Sequence, residues 1–426
     1  MAVAQRYAAG DTRPLPTLPA ASTGVSGCAP EGLETAATRN ATASAQAPHA
    51  PRTDSRSARV PWIDASRALA VALVVVFHVT IGHYYLMEWA EGEMAGRWDR
   101  INQILSVIRM PLLFAFSGML AAGKIRRGFR GGKAIEGAVT NYYLYAVWLV
   151  AYGLFILALP AEFPAPHKVA SVHLWIQQLW APNTYLWYVF ALACYIVAFT
   201  ALRRVHPALI LGGLFVLHLA SAHLWTVESD LWTRSLTYAL FFGLGVYGGR
   251  VLRHMAADPV STLGAALAAW AVYQQIGMTR LMSATPLDPV SATWLVALFV
   301  LMGMTAVGFV GILTRVPLYA AIGEFVGKHT LGIYVLHIPM ATVLNLLMLG
   351  PLADLGFVFA ASPGLHLMYP LIASAAVVAG CIAVEYALKR TRPGRAMFAL
   401  PAPLGALCTD ARESLAGARE GSAALR

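Results

Sequence analysis

The chain has 426 residues, of which 58% are hydrophobic and only 12% are charged, a balance that excludes a large soluble protein and indicates a polytopic membrane protein. Its formal net charge of +10 does not indicate a nucleic-acid partner, because the basic residues lie beside apolar runs instead of forming one stripe with interleaved aromatics. The four cysteines are scattered and provide neither a disulfide framework nor a metal-ligand spacing, so no metal site is expected.

The two ends of the chain differ in composition from its centre. Residues 1–60 are rich in Ala, Thr, Ser and Pro, mix both charge signs and contain no continuous apolar run like that of a signal peptide. We therefore expect a disordered cytoplasmic tail over residues 1–60, a transmembrane domain over residues 61–395 and a second disordered cytoplasmic tail over residues 396–426.

The first apolar run, from about Ala65 to Leu86, is long enough to cross a hydrocarbon core of roughly 30 Å as a helix. It contains Arg67 near its start and His78 near its middle. Eleven positions separate these residues, which places them on nearly the same helix face with Cα atoms roughly 16 Å apart, so one elongated ligand could meet both. An intramembrane ionisable residue is a functional candidate, and the alternative is an interfacial anchor at Arg67 and a satisfied bundle histidine at His78.

The second apolar run, from about Gln103 to Ala122, contains Arg109 near its outer end and Ser117 followed by Gly118. Arg109 is expected to extend toward the lipid headgroups, and the Ser-Gly pair is more typical of close helix packing than of a nucleophile. The densest basic loop of the chain follows, with Lys124, Arg126, Arg127, Arg130 and Lys133. Such a loop sets topology and binds anionic headgroups, and it would also suit a phosphate-bearing donor from the cytoplasm.

Eight further spans are predicted after the basic loop. They lie at about Val139–Leu159, Leu186–Leu202, Pro207–Trp225, Trp232–Arg250, Thr262–Met278, Ala292–Thr314, His329–Leu349 and Leu367–Leu388. The predicted fold is therefore an all-α membrane helix bundle with about ten transmembrane helices. Fifteen Lys and Arg residues fall in the loops on the N-terminal side against four in the opposite loops, which predicts that both termini are cytoplasmic.

Two of these assignments leave an alternative open. The span Thr262–Met278 is the weakest, because it is short and contains Gln274 and Gln275. The segment Val316–Lys328 is compatible with a short interfacial helix as well as with a plain loop.

Two later segments add candidate site residues. Trp187 belongs to an aromatic cluster of the kind found at membrane interfaces, with stacking on a sugar as the alternative. His337 lies about eight residues into the ninth span, with Glu324 and Lys328 at the start of that segment. A metal site shared by His78 and His337 is not expected, because no cysteine or carboxylate lies at ligand spacing nearby, so a packing role is expected for His337.

A buried histidine stays largely neutral and can accept a proton from a hydroxyl, as a general base must. Together with basic groups on the cytoplasmic side, His78 therefore fits acyl transfer to a hydroxyl. Two other classes remain open: a proton-coupled transporter or flippase that uses His78 and His337 as a relay, and a membrane scaffold without chemistry. The lack of matching halves in the sequence disfavours a transporter built from inverted repeats.

Four ordered motifs resemble those of the acyltransferase 3 family of integral membrane acyltransferases, over about residues 61–388. Arg67 followed by ten residues and His78 is similar to the family's Arg-x10-His signature. The stretch from Arg109 to Gly118 is similar to its second-helix motif, and Leu186-Trp187-Tyr188 is similar to a Leu-Trp-Phe element. Gly327 to His337, which includes Tyr334, is similar to a late Ile-Tyr-Leu-x-His element.

The resemblance implies a multi-pass protein of the bacterial inner membrane that moves an acyl group from cytoplasmic acyl-CoA to a hydroxyl of a glycan, sugar, glycolipid or glycosylated metabolite of the cell envelope. The expected donor is acetyl-CoA as a co-substrate, with no tightly bound cofactor. It implies His78 as the general base and Arg67 as a residue for donor binding or site architecture.

The resemblance also implies roles for residues outside the first span. The donor would be bound by the basic loop, through Arg126, Arg127, Arg130 and Lys133. Further candidates from these motifs and their flanks are Asp64, Arg109, Ser117, Trp187, Glu324, Tyr334 and His337. The chain departs from the family at Gly137-Ala-Val-Thr-Asn141, where an Arg and then a Pro usually open the third helix, which leaves open which basic residue meets the donor.

Overall fold

The computed structural model describes residues 61–90, 92–160, 172–223, 230–276 and 289–401. Within these ranges the secondary structure consists of α-helices and short 3₁₀ turns, without a β-strand. The predicted N-terminal tail and residues 402–426 of the predicted C-terminal tail lie outside the described residues. The prediction of an all-α bundle is confirmed for the described part of the chain.

A helix occupies each of the ten positions at which the apolar runs predict one, and four shorter helices lie between or after them. The helices are α1 Pro61–Gly82, α2 Glu93–Arg127, α3 Lys133–Leu157, α4 Val172–Gln177, α5 Trp187–Ala201, α6 Pro207–His223, α7 Asp230–Ala257, α8 Pro259–Ile276, α9 Pro289–Leu313, α10 Pro317–Lys328, α11 Thr330–Met348, α12 Leu355–Ala360, α13 Pro363–Lys389 and α14 Arg392–Ala396.

The predicted count of ten membrane spans is not confirmed for the described residues. Among the described residues, seven helices are long and apolar enough to cross a membrane, namely α1, α2, α3, α5, α9, α11 and α13. Helices α7 and α8 meet that standard only together, with a bend of 105° between them, and α6 is a shorter apolar helix. The count is therefore seven, or eight if the bent pair forms one broken span. The difference arises because charged residues such as Arg234 and Arg250 interrupt the apolar run of α7.

Helix α10 settles the alternative left open for residues 316–328. The segment forms a helix of 12 residues with Pro317 at its first turn. Leu318, Ile322 and Phe325 are exposed on it, and Glu324 forms an ion pair of 2.6 Å with Lys328. An amphipathic helix between two apolar helices is typical of a membrane interface.

Glycine allows two helix pairs to approach closely. A Cβ on Gly118 of α2 would overlap the carbonyl oxygen of Phe242 in α7, and a Cβ on Gly245 of α7 would overlap the carbonyl oxygen of Ala115 in α2. In the same way, a Cβ on Gly327 of α10 would lie 2.5 Å from the carbonyl oxygen of Asp64 in α1. Small residues at such contacts bring helix backbones together in membrane proteins. Gly118 is therefore the close-packing residue that its Ser-Gly pattern indicates.

The packed part of the chain continues past residue 395, where the sequence places the start of the second tail. Tyr143 of α3 donates a hydrogen bond of 3.1 Å to the carbonyl of Ala396, and the Trp148 indole donates one of 2.8 Å to the carbonyl of Met397. Phe398 packs edge-on against Trp148, with ring centroids 5.4 Å apart. Aromatic side chains of α3 thus bind the backbone at the end of α14 and just after it.

Candidate active site

Arg67 connects the predicted cytoplasmic ends of α1 and α11. Its Nη2 donates a hydrogen bond of 2.8 Å to Oγ1 of Thr330, the first residue of α11, and its Nη1 lies 3.7 Å from Oδ1 of Asp64. Arg67 and Thr330 are 263 positions apart in the sequence. Arg67 is therefore more than a surface anchor, because its guanidinium group joins two distant helices of the bundle.

His78 and His337 form a direct pair. The Nε2 atom of His337 lies 3.2 Å from Nδ1 of His78, and His337 is only 1% exposed. The predicted packing role for His337 thus omits a contact with the main catalytic candidate. The sequence shows two histidines in different spans but does not show that α1 and α11 place them side by side.

Backbone carbonyls determine which nitrogen of each histidine is protonated. Nδ1 of His337 lies 2.6 Å from the carbonyl oxygen of Tyr334, and Nδ1 of His78 lies 3.0 Å from that of Val74. Since a carbonyl can only accept, each Nδ1 must bear a hydrogen when the rings are neutral. The single Nδ1 hydrogen of His78 is then shared between the carbonyl oxygen of Val74 and the Nε2 lone pair of His337. The remaining basic nitrogen of His78 is Nε2, as a general base requires.

Tyrosines surround the histidine pair. The Tyr185 ring meets His78 edge-on with centroids 4.9 Å apart, and burial raises the pKa of Tyr185, so its phenol stays neutral. The Tyr334 hydroxyl donates a hydrogen bond of 2.5 Å to the carbonyl oxygen of Tyr185. Tyr334 therefore supports both partners of the pair, through its carbonyl at His337 and through its phenol beside His78.

A cavity of about 320 Å³ lies between α1, α2, α3, α5 and α11. Its polar lining residues near the predicted cytoplasmic helix ends are Arg67, Lys124, Asn141 and Thr330. Farther into the bundle it is lined by Ser117, Tyr188 and Tyr334 among apolar side chains. The cavity thus extends from a cationic mouth to Tyr334, whose carbonyl accepts the hydrogen bond from His337. We refer to it below as the cationic cavity.

Ser117 lines the cationic cavity but its hydroxyl is already engaged. Its Oγ donates 2.8 Å to the carbonyl of Leu113 and lies 2.5 Å from the Tyr188 hydroxyl. Because the Ser117 hydrogen is used by Leu113, the Tyr188 hydroxyl is the donor in the second bond. Ser117 therefore fixes the cavity wall, in agreement with the expectation that it is not a nucleophile.

The basic loop contributes one residue to the cationic cavity, and that residue is Lys124. Its side chain lies over Gly137 of α3, where a Cβ would be 3.5 Å from Nζ. Arg126, Arg127, Arg130 and Lys133 are exposed and are not among the cavity-lining residues. Helix periodicity in the sequence could have identified Lys124 as a cavity residue, because it lies seven residues after Ser117 and thus on the same face of α2.

Three further candidates lie apart from the cationic cavity. The prediction that Arg109 extends to the headgroups is wrong, because the side chain is 8% exposed and its guanidinium carbon lies 3.7 Å from the centre of the Phe77 ring inside the bundle. Trp187 packs against Phe114, with centroids 5.7 Å apart. Glu324 pairs with Lys328 on the surface of α10.

Within the described ranges, no group of three or more His, Cys, Asp or Glu side chains could hold a metal ion. The histidine pair therefore has no third ligand there. The groups that the structure brings together are a base, a second imidazole, hydroxyls and two cations. These groups suit proton transfer next to a bound anionic ligand.

We compared the chain with models of protein families, with curated proteins and with solved structures. Residues 60–386 match the model of the acyltransferase domain, type 3. This range covers well over half of the 426 residues and includes the histidine pair and the cationic cavity. No curated protein and no solved structure matched the chain.

Proposed function

Because the chain belongs to the acyltransferase 3 family, we propose that it is a membrane O-acyltransferase that moves an acyl group from cytoplasmic acyl-CoA to a hydroxyl of a glycan, sugar or glycosylated metabolite. Acetyl-CoA is the proposed donor, and the inner membrane of a bacterium is the proposed location. The observation that supports the proposal most directly is the cationic cavity, which leads from Arg67 and Lys124 to Tyr334. The Tyr334 carbonyl contacts His337, and His337 contacts His78.

The donor is proposed to lie along the cationic cavity. Its phosphates would lie near Lys124 and Arg67, because cations bind phosphate oxygens through charge-assisted hydrogen bonds. Its narrow arm would follow the apolar lining toward Tyr188 and Tyr334. The Cα atoms of Arg67 and His78 are roughly 16 Å apart along α1, which suits a donor with its charge at one end and its thioester at the other. The exposed Arg126, Arg127, Arg130 and Lys133 would hold the nucleotide part outside the cavity.

The proposed reaction uses His78 as the base. Nε2 of His78 removes the proton from the acceptor hydroxyl while that oxygen forms a bond to the thioester carbonyl carbon. The carbon–sulfur bond then breaks, and the departing thiolate takes the proton from His78. His337 accepts a hydrogen bond from Nδ1 of His78 throughout, so it stabilises the imidazolium that forms in between.

The transporter or flippase alternative rests on the same histidine pair, since a contact of 3.2 Å could pass a proton. The two functions differ in what they change. A transporter leaves the covalent structure of its cargo intact, whereas an acyltransferase adds mass to an acceptor.

The decisive experiment is mass spectrometry of envelope glycans, lipids and small glycosides from cells with the intact gene, without the gene, and with a His78→Ala variant. We expect a mass increment of one acyl group only with the intact gene, with the variant inserted in the membrane at the normal level. Identical products in all three strains would contradict the enzyme proposal. Full acylation by the His78→Ala variant would contradict the role of the base.

A further inference from the structure

Arg109 is a buried cation for which the described part of the chain provides no anionic partner. Its side chain is 8% exposed, and its Nη1 is buried and has no hydrogen-bond partner among the described residues. Stacking on Phe77 at 3.7 Å offsets only part of the cost of burying an unpaired charge inside the bundle. A site with this imbalance is complete only when an anion is bound.

Arg109 lies beyond the end of the cationic cavity. Leu113, four residues after Arg109 on α2, lines the cavity, so the Cα of Arg109 lies roughly 6 Å farther from the basic loop than the nearest lining position on that helix. Arg109 is also close to the proposed base, because the Phe77 ring that it covers is 5.0 Å from the His78 ring. Arg109 is thus placed beside His78, deeper in the bundle than the proposed phosphate site of the donor.

Aromatic rings flank this cation. Trp187 and Tyr238 lie with ring centroids 5.8 Å apart, and Tyr238 lies near the Arg109 side chain. Phe77, Trp187 and Tyr238 each keep part of their surface accessible. Aromatic faces pack against the apolar faces of sugar rings while polar groups fix the orientation. We call Arg109, Phe77, Trp187 and Tyr238 the Arg109 cluster.

From this arrangement we infer that the Arg109 cluster binds the acceptor, and that the acceptor is a saccharide bearing a carboxylate or phosphate group. The guanidinium group of Arg109 holds the anionic oxygens, the aromatic residues cover the sugar ring, and a hydroxyl of that ring lies at Nε2 of His78. The inference rests on the proposed function and narrows its substrate class from hydroxyl compounds in general to anionic saccharides.

The binding test uses the purified full chain in lipid nanodiscs and isothermal titration calorimetry. The probes are methyl glucuronide and methyl glucoside 6-phosphate, which are anionic, and methyl glucoside, which is neutral. We expect the wild-type protein to bind at least one anionic probe about tenfold more tightly than the neutral probe, since a charge-assisted hydrogen bond contributes that much. Comparison of the two anionic probes distinguishes carboxylate from phosphate.

Two substitutions at Arg109 and one control test whether the charge of Arg109 causes the preference for anionic probes. Arg109→Gln should abolish the preference for anionic probes, and Arg109→Lys should retain part of it because the charge remains. Arg97→Gln is the matched control, since Arg97 lies on the same helix, is exposed and pairs with Glu93 at 2.6 Å; it should leave the preference unchanged. Equal binding of charged and neutral probes by the wild type, no binding of any probe, or an unchanged preference in Arg109→Gln would overturn the inference.

Transfer from radiolabelled acetyl-CoA to the same three saccharides separates this inference from the proposed function. His78→Ala should transfer nothing yet keep the charge preference in binding. Loss of transfer to anionic acceptors alone in Arg109→Gln supports the acceptor site. An equal fall in kcat on charged and neutral acceptors, with binding unchanged, would instead place Arg109 at the developing charge of the thioester carbonyl and overturn the inference. If the wild type binds anionic probes preferentially but transfers no acetyl group, the result would count against the proposed enzymatic activity and not against the acceptor site.

Discussion

At the scale of single residues, the proposed base His78 depends on His337, which takes no direct part in the proposed proton transfer. The Tyr334 carbonyl holds His337 at 2.6 Å, and His337 in turn lies 3.2 Å from His78. This order resembles the way in which an orienting group selects the tautomer of a catalytic histidine. His337 is therefore a positioning residue in the proposed mechanism.

Substitutions at His337 can separate hydrogen bonding from packing. His337→Leu removes one of the two acceptors for Nδ1 of His78 and leaves only the Val74 carbonyl, so acyl transfer should fall by about 10²-fold, in the range seen when an orienting group is lost. His337→Gln can still accept through its amide oxygen and should retain more activity than the leucine variant. His173→Leu, an exposed histidine on α4, is the control. Equal activity of the Leu and Gln variants, measured at equal membrane levels, would contradict the positioning role.

Lys124 is the basic-loop residue that we expect to matter most for the donor. Lys124→Gln should raise the KM for acyl-CoA by about tenfold, the usual effect of losing one charge-assisted hydrogen bond, with a smaller change in kcat. Arg250→Gln, an exposed cation at the end of α7, should have no effect beyond the loss of general surface charge. Steady-state kinetics with acyl-CoA, at equal membrane levels of the wild type and the two variants, tests this. An unchanged KM in Lys124→Gln would count against donor binding at the cavity mouth.

At the scale of helices, the contact between α2 and α7 is the one most sensitive to side-chain size. Gly245→Ala places a methyl group against the backbone of Ala115 and should destabilise the protein by about 1–3 kcal/mol. Gly248→Ala lies three residues farther on the same helix, where a Cβ meets nothing within 4 Å, and should be neutral. Thermal unfolding of the two variants in detergent compares them directly. Equal unfolding temperatures of Gly245→Ala and Gly248→Ala would contradict this prediction, because they would show that α2 and α7 can move apart without loss of stability.

Helix positions could be predicted from the sequence because each apolar run specifies its own helix. The relations between helices could not, because they depend on residues far apart in the chain. The bond from Arg67 to Thr330 and the pair His78–His337 each join α1 to α11 across about 260 positions. Arg109 shows the same limit: an arginine near a helix end usually extends to the headgroups, but here Phe77 of a neighbouring helix covers it.

At the scale of the whole molecule, the turn between α7 and α8 decides how many times the chain crosses the membrane. Asp258 is exposed, and its carboxylate accepts a hydrogen bond of 3.3 Å from the backbone N–H of Ser261, which caps the start of α8. Hydrogen bonding by Ser261, aided by His254 and Arg315, lowers the pKa of Asp258, so the carboxylate is charged at neutral pH. A charged turn of this kind is expected in water.

Cysteine labelling tests this expectation. In a background with the native cysteines replaced by serine, Asp258→Cys should react with a membrane-impermeant maleimide added to the cytoplasmic face. Val300→Cys, an exposed apolar position within α9, should not react from either face. Labelling of Asp258→Cys would mean that α7 and α8 start from one membrane surface as two separate elements. Protection of this residue would mean that the bent pair is buried in the bilayer.

The position of the Tyr334 ring has a further consequence, which concerns electrical insulation. Tyr334 lines the cationic cavity, and its phenol contacts the backbone of the residue that packs on His78. A water-accessible cavity that extends as far as Tyr334 leaves only a thin layer of side chains across which the membrane potential drops. Tyr334→Ala should therefore raise the proton permeability of proteoliposomes, measured with an internal pH dye, whereas Tyr334→Phe should keep them tight. The Tyr334 ring, which lines the proposed path of the acyl group, would then also limit the leakage of protons across the membrane.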